Sequence, residues 1–219
     1  MPRKQCAVFD LDDTLVTSDS FARLLGHLFR RSPARLALLA ATAPAWVLLG
    51  ARRGSRVHAE RVVVWAATAG SSPHRFEALV RAFAAEHAGA DGGRRTTVAL
   101  DRLRRHAAAG DRVVVATACA EPLAREVCRA LDLPDVEVVA SRLTTHRWRL
   151  PRAVPARGAG KVRALAEAGI DLPVDHACSD SAGDLPLLRA ARTAHLVRPS
   201  PRDLPVLLRE LGPDVEVLR

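Results

Sequence analysis

Five short apolar runs, CAVFDL (6–11), DRVVVATA (111–118), VEVVA (136–140), DHACSD (175–180) and TAHLV (193–197), are each too short and too evenly apolar for an amphipathic helix. Such runs suit strands buried on both faces of a parallel sheet. Segments with helical spacing separate the later ones: EPLAREVCRALDL (121–133), GKVRALAEAGI (160–170) and AGDLPLLRAA (182–191). Strands alternating with helices predict a doubly wound, Rossmann-like α/β sheet with its site at the carboxyl ends of the strands. SRLTTHRWRL (141–150) interrupts the alternation as a hairpin or flap.

The rhythm also fails between the first and second strands. Residues 17–95 read as helices only: SFARLLGHLFRR, ARLALLAATAPAWVLLGARR, SRVHAERVVVWAATAG and HRFEALVRAFAAEHA. The polar stretch GADGGRRTT (89–97) then reads as a linker back to the sheet. The predicted organisation is a catalytic core of residues 1–16 and 96–219, with a helical cap of residues 17–95 inserted after the first strand. At 219 residues, 48% of them hydrophobic, the chain can bury such a core.

Composition narrows the partners. The net charge of +9 comes from a chain with only two lysines, Lys4 and Lys161, and arginine elsewhere. The arginines are spread along the sequence, aromatics are 4%, and no nucleic-acid-binding motif accompanies them, so nucleic acid is not an expected partner. An anionic membrane surface fits the charge better. The four cysteines, Cys6, Cys119, Cys128 and Cys178, lack metal-binding spacing and read as small buried hydrophobes. MPRKQ runs straight into the first apolar run with no secretory segment, which predicts a cytoplasmic location, at the inner face of the membrane if the charge meets lipid.

Four polar features fall where predicted strands end. Asp10, Asp12 and Asp13 crowd into four positions after the first. Residues i and i+2 of an extended segment point the same way, so Asp10 and Asp12 can face one site while Asp13 turns aside. Two converging carboxylates suit a cation, or a nucleophile beside a general acid. By itself the segment fits an Asp-rich turn or helix N-cap equally well. Thr117 ends the second run just before a helix, where its hydroxyl and the free N–H groups of the next turn could hold an anion or the hydroxyl could simply cap the strand. Lys161 is conspicuous in an arginine-biased chain, and a compact ammonium suits a phosphoryl oxygen. In SDSAGDLPLL, Asp180 follows a strand and Asp184 opens a helix. Both could join Asp10 around Mg²⁺, and Asp184 could equally be a helix cap.

In this order, FDLDDT, VVVATA, Lys161 and SDSAGDLPLL resemble the four motifs of the haloacid dehalogenase superfamily of phosphohydrolases, over nearly the whole chain. The last motif and the cap's position are similar to its phosphoserine phosphatase branch (subfamily IB). The resemblance implies a phosphatase in which Asp10 attacks phosphorus to form an aspartyl-phosphate. Asp12 would protonate the leaving alcohol and then deprotonate the hydrolytic water, which requires a raised pKa. It further implies that Mg²⁺ sits between Asp10, Asp180 and the backbone carbonyl of Asp12. Thr117, Lys161, Leu11 and Ala118 would bind the phosphoryl group. Thr14 and Asp184 would support them, Asp184 by orienting Lys161 or a metal-bound water. Asp13 is expected to be dispensable.

Residues 36–51, LALLAATAPAWVLLGA, carry no charge, and Arg30, Arg31, Arg35, Arg52, Arg53 and Arg56 flank them. Sixteen residues containing Pro44 are short for a membrane span, so the stretch reads as an interfacial segment or a buried cap helix. With LLGHLFRRSP and WAATAG it resembles the cap of bacterial phosphatidylglycerophosphatase C, which implies a lipid phosphate as substrate. A soluble phosphomonoester such as phosphoserine is the alternative, and a catalytically silent membrane-surface protein on the same fold is a third.

Overall fold

The computed structural model describes residues 4–51, 56–133, 135–144 and 150–219. Among these, seven strands form one sheet in the order β4-β3-β2-β1-β5-β6-β7, from β1 (Cys6–Phe9), β2 (Arg112–Ala120), β3 (Glu137–Thr144), β4 (Arg152–Val154), β5 (Val174–Ser179), β6 (Ala191–Val197) and β7 (Glu216–Leu218). All neighbouring pairs run parallel except β3 and β4. Helices between the strands are α6 (Thr97–Ala108), α7 (Glu121–Ala130), α8 (Ala159–Glu167), α9 (Leu185–Arg189) and α10 (Leu204–Leu211).

The period of two in the strands explains why both faces are covered. Ala7 and Phe9 of β1, with Val113 and Val115 of β2, enter a cluster built with Leu103 of α6 and Val127 of α7. Val8, Val114 and Ala116 point the other way, onto Leu165 of α8, Leu187 of α9 and Leu207 of α10. An evenly apolar strand is what a two-sided core demands. The expected doubly wound α/β fold is present.

Between β1 and β2 the chain holds only helices: α1 (Ser20–Arg30), α2 (Pro33–Ala41), α3 (Ala43–Ala51), α4 (Arg56–Thr68) and α5 (Pro73–Ala88). Their buried residues Leu24, Leu28, Phe76, Val80 and Phe83 join the same cluster as Phe9, so these helices pack on one side of the sheet. Entry and exit run side by side, with the Thr17 N–H donating to Arg94 O (2.9 Å) and the Thr96 N–H to Leu15 O (2.9 Å). The exit is less of a loose linker than its composition predicts. Arg95 donates to the Ala88 and Ala130 carbonyls (3.0 and 2.6 Å) and reaches Asp132 (3.1 Å), pinning it to α7.

Other expectations need correction. The apolar stretch is two helices, not one, bent by 54° at the Thr42 break; Pro44 cannot donate to the preceding turn, and the Thr42 hydroxyl donates to the Leu38 carbonyl (2.9 Å). Two elements, α10 and β7, follow what reads as the last strand, and α6 precedes β2. The 141–150 segment does make a hairpin, since Arg142–Thr144 of β3 pairs antiparallel with Arg152–Val154 of β4. Its tip at 145–149, like Arg52 and Arg53, lies outside the described residues. The cysteines are free, and Cys119, Cys128 and Cys178 are buried as expected.

Two buried histidines make the fold acid-sensitive. Burial, then Arg94 and Arg23, hold the His87 pKa down to about 4. Burial, then Arg102, do the same to His195, despite Glu216 at 2.8 Å. A histidine unfolds to its ordinary pKa near ~6.5, so below that the unfolded chain binds the proton first and stability falls with pH. Between pH 7 and 5 each histidine is expected to remove about 2 kcal/mol. Urea titrations at the two pH values check this: His87→Gln should narrow the gap, and an unchanged gap would refute the assignment.

Candidate active site

The strand order reverses direction at β1, with β2 on one side and β5 on the other, and a crevice opens there at the carboxyl ends. The residues that end these three strands therefore meet. Asp10 is the first residue past β1, and its N–H donates to Cys178 O of β5 (2.9 Å), which holds its backbone in place. Asp10, Asp12, Thr117, Ala118, Lys161, Asp180 and Asp184 all line one cavity of about 300 Å³.

Lys161 is the centre of the arrangement. Gly158, at φ 55°, makes the turn into α8, a backbone angle that favours glycine. One helical turn later the Lys161 side chain, 2% exposed, donates to Asp10 Oδ1 (2.8 Å) and Asp184 Oδ2 (2.6 Å). Burial alone would lower its pKa, but the two carboxylates hold it above the ordinary lysine value. Asp184 Oδ2 also accepts from Ser179 Oγ (2.8 Å). Asp184 thus holds the Lys161 ammonium, and its side chain does not cap α9.

Thr117 is buried, and its Oγ1 accepts from the Cys119 N–H (3.0 Å). It does not directly precede a helix as expected. β2 runs on to Ala120, with its pairing to β3 shifted between Thr117 and Ala120, and α7 starts at Glu121. Thr117, Ala118 and Cys119, where this register shift begins, line the cavity. Leu11 is fully buried, and its carbonyl accepts from the Leu15 and Val16 N–H groups (2.8 and 3.0 Å), closing the turn that carries Asp12 and Asp13.

Asp12 faces the cavity but leans towards α1, where its Oδ1 accepts from the Ser20 N–H (2.9 Å). Burial pushes its pKa up to about 6 against the pull of Ser20, the direction a general acid needs. The Ser20 hydroxyl in turn lies 3.2 Å from His87 Nε2, and the His87 ring stacks on Phe83 (5.0 Å between centroids). Ser20, Ser179 and His87 escape a reading from sequence. Ser179 lies inside SDSAGD and could have been flagged there, whereas nothing local marks Ser20 or His87.

Asp13 also lines the cavity but is exposed, at φ 57°. Aspartate tolerates this left-handed angle better than most side chains do, and glycine adopts it freely. Asp13→Gly is expected to keep activity and to change stability, read by urea denaturation, by no more than about 0.5 kcal/mol, because the relief of the left-handed angle is offset by the extra freedom glycine gives the unfolded chain. A large loss of turnover would refute its expected dispensability.

Whether the cavity suits a cation can be judged from its charges. Six carboxylates line it (Asp10, Asp12, Asp13, Asp19, Asp180 and Asp184), against Lys161 and Arg157. Burial pushes the Asp10 carboxyl up, and the Lys161 ammonium 2.8 Å away pulls it back towards the charged form. Asp180 goes up to about 6 through burial, countered by a hydrogen bond from Thr14 Oγ1 (3.1 Å) and raised further by Asp13 and Asp184. A phosphate dianion entering such a field would be repelled unless a hard cation came with it. Among the described residues no three His, Cys, Asp or Glu side chains gather as a metal cluster. A set of two carboxylates, Asp10 and Asp180, with carbonyl and water ligands suits Mg²⁺, which keeps several waters.

Comparison with known proteins gives the family and the fold. The family model described as haloacid dehalogenase-like hydrolase matches residues 7–189. The chain belongs to this family. No curated protein matches this hydrolase in sequence. Among solved structures it is similar to a protein of unknown function from Bordetella pertussis Tohama I, with 24% identity over 99% of each chain and a TM-score of 0.75. A family hydrolase from Salmonella enterica serovar Typhi is 16% identical over 97% of this chain and 66% of its own, at a TM-score of 0.62. A phosphoserine phosphatase, solved as a phospho-aspartyl intermediate analogue, is 16% identical over 99% of this chain and 94% of its own, at 0.57. At these identities the likeness is one of fold. This haloacid dehalogenase-like chain is a hydrolase, and its cavity is in keeping with phosphatase chemistry.

Proposed function

We propose that the chain is a Mg²⁺-dependent phosphomonoesterase that works through an aspartyl-phosphate on Asp10. The observation that carries this reading is the Lys161 ammonium held between Asp10 and Asp184 in the cavity that also contains Asp12, Thr117 and Asp180. Asp10 attacks phosphorus, the P–O bond to the alcohol breaks, and Asp12 gives its proton to the departing oxygen. Asp12 then takes a proton from a water that attacks the same phosphorus, releasing inorganic phosphate and restoring Asp10. Thr117, Lys161 and the backbone around Leu11 and Ala118 hold the phosphoryl oxygens, and Lys161 offsets charge as it grows in the transition state. Bound between Asp10, Asp180 and the Asp12 carbonyl, Mg²⁺ would supply charge neutralisation for the incoming phosphate.

Residues 17–95 are proposed as a cap over the core of 1–16 and 96–219. A second cavity, lined by Phe21, Val57 and Val64 of the helices and by Leu143 and Pro155 of the core, shares Phe21, Ala118 and Arg157 with the first. It is where the alcohol part of a substrate would lie.

The proposed substrate is a lipid phosphate such as phosphatidylglycerophosphate, met at the cytoplasmic face of a membrane. Support comes from the apolar surface that the bent α2–α3 pair leaves open: Leu36, Val47 and Leu48 are 53–57% exposed. No single helix among the described residues is long and apolar enough to cross a membrane, though the bent pair meets the length and composition together. The chain's similarity in fold to solved phosphoserine phosphatases, one of them substrate-bound, supports the second reading, a small phosphorylated metabolite. A phosphate-release screen over lipid and soluble phosphomonoesters decides between them. Activity is expected with Mg²⁺, lost in EDTA and regained on adding Mg²⁺. Metal-independent turnover would remove the Mg²⁺ assignment. Cleavage of phosphoserine with none of micellar phosphatidylglycerophosphate would remove the lipid one.

A further inference from the structure

A cavity of about 500 Å³ between α1, α2 and the start of α5 shares no lining residue with the Asp10 cavity. Arg31, Arg35 and Arg75 line it, above a floor that includes Leu28, Leu38 and Leu79. Among the described residues twelve other arginines have a carboxylate within 4.0 Å, whereas none of these three does. Arg35 is half-buried, and its only side-chain partner among them is the Ser71 hydroxyl (2.5 Å). Burial, and then the like charge of Arg75, hold its guanidinium below the usual arginine pKa. The half-buried Arg35 charge beside that of Arg75, with Arg31 on the same cavity and no described carboxylate within 4.0 Å of any of the three, is a repulsion that a bound anion would offset.

The helix starts here point the same way. α2 opens with Ser32-Pro33-Ala34-Arg35 and α5 with Ser72-Pro73-His74-Arg75. In each, the serine hydroxyl accepts from the arginine N–H, at 3.4 and 3.3 Å. That third helical position is where a capping box carries Glu or Gln, because the positive end of the helix dipole favours negative charge. Both helices put arginine there, and neither has an acid in its first turn.

We infer that Arg31, Arg35 and Arg75 form an anion site that takes a phosphate group, separate from the cavity where hydrolysis is proposed. The guanidinium forks match tetrahedral phosphate oxygens, and the apolar floor accommodates what the phosphate is attached to. That phosphate is either the headgroup of an anionic lipid or free in solution. A lipid source would place the exposed Leu36 face of α2 against the same membrane.

The test uses the full chain in EDTA and titrates inorganic phosphate calorimetrically, with wild type, Arg75→Glu and Arg35→Gln/Arg75→Gln. Arg75 is exposed, and Glu at that position suits the helix start, so Arg75→Glu tests the site even if the double variant folds poorly. Wild type is expected to bind phosphate, and Arg75→Glu to bind it about tenfold more weakly or worse, since charge reversal removes a charge-assisted contact and adds repulsion. Turnover of a soluble phosphomonoester with Mg²⁺ should be unchanged in Arg75→Glu, which separates this site from the fate of the Asp10 reading. Flotation with phosphatidylcholine vesicles, with and without phosphatidylglycerol, identifies the source. Loss of both phosphate binding and phosphatidylglycerol-dependent flotation supports a lipid headgroup, and loss of phosphate binding alone supports free phosphate. No phosphate binding by wild type, or equal binding by Arg75→Glu, overturns the site.

Discussion

Asp10→Asn is expected to abolish phosphate release, by on the order of 10⁴-fold or more, while leaving the fold intact. The carboxylate oxygen that would attack phosphorus becomes an amide, and no neighbour can replace it as nucleophile. Lys161 keeps its second carboxylate, Asp184 at 2.6 Å, so the variant does not strand a buried charge. Its melting temperature should therefore stay close to that of the wild type. Steady-state kinetics with Mg²⁺, alongside a thermal melt, reads both halves. Turnover within tenfold of wild type would end the aspartyl-phosphate mechanism. A variant that loses activity only because it unfolds would show in the melt.

Lys161→Met should do something different, costing stability and activity together. The side chain is 2% exposed and neutralises Asp10 and Asp184 at once. Removing one partner of a buried ion pair typically costs about 3–5 kcal/mol, because the remaining charges lose their compensation. Two carboxylates would be left facing each other here, so chemical denaturation in EDTA should show a loss of roughly that size. The expected fall in kcat/KM is about 10²–10³-fold, the usual scale for deleting one preorganised donor to transition-state charge. Lys161→Arg is not expected to rescue activity, since a planar fork does not fit the point between two carboxylates. A Lys161→Met protein as stable and as active as wild type would show that the ammonium is a bystander.

Much of this cavity can be read from local residue patterns. Asp10, Asp12, Thr117, Lys161, Asp180 and Asp184 stand out because each follows a strand or opens a helix, and strand ends are where a parallel sheet keeps its chemistry. The two-faced core is legible for the same reason: runs such as VVVAT bury both sides, and a period of two follows from backbone geometry. Harder to read is what depends on partners far away in the chain. Lys161 and Asp10 are 151 residues apart, and no periodicity says that the ammonium also binds Asp184. The contact between Ser20 and His87 spans 67 residues and links α1 to α5, so neither residue carries a local signature. Thr117 reads as a strand end because a helix-like segment follows, yet pairing with β3 carries the strand three residues further.

Sequence alone therefore determined the fold class, the helical insertion after β1 and the inventory of groups available for chemistry. Those properties are set by hydrophobic period, by turn residues and by where polar side chains interrupt apolar runs. Tertiary structure decided which groups share charge. It gave Lys161 to Asp10 and Asp184, and turned Asp12 towards the Ser20 N–H. It broke the apolar stretch into α2 and α3, and set Arg35 and Arg75 beside one cavity with no carboxylate described within 4.0 Å of either. Electrostatic energy depends on distance and burial in three dimensions, and neither is encoded in the local spacing of residues along the chain.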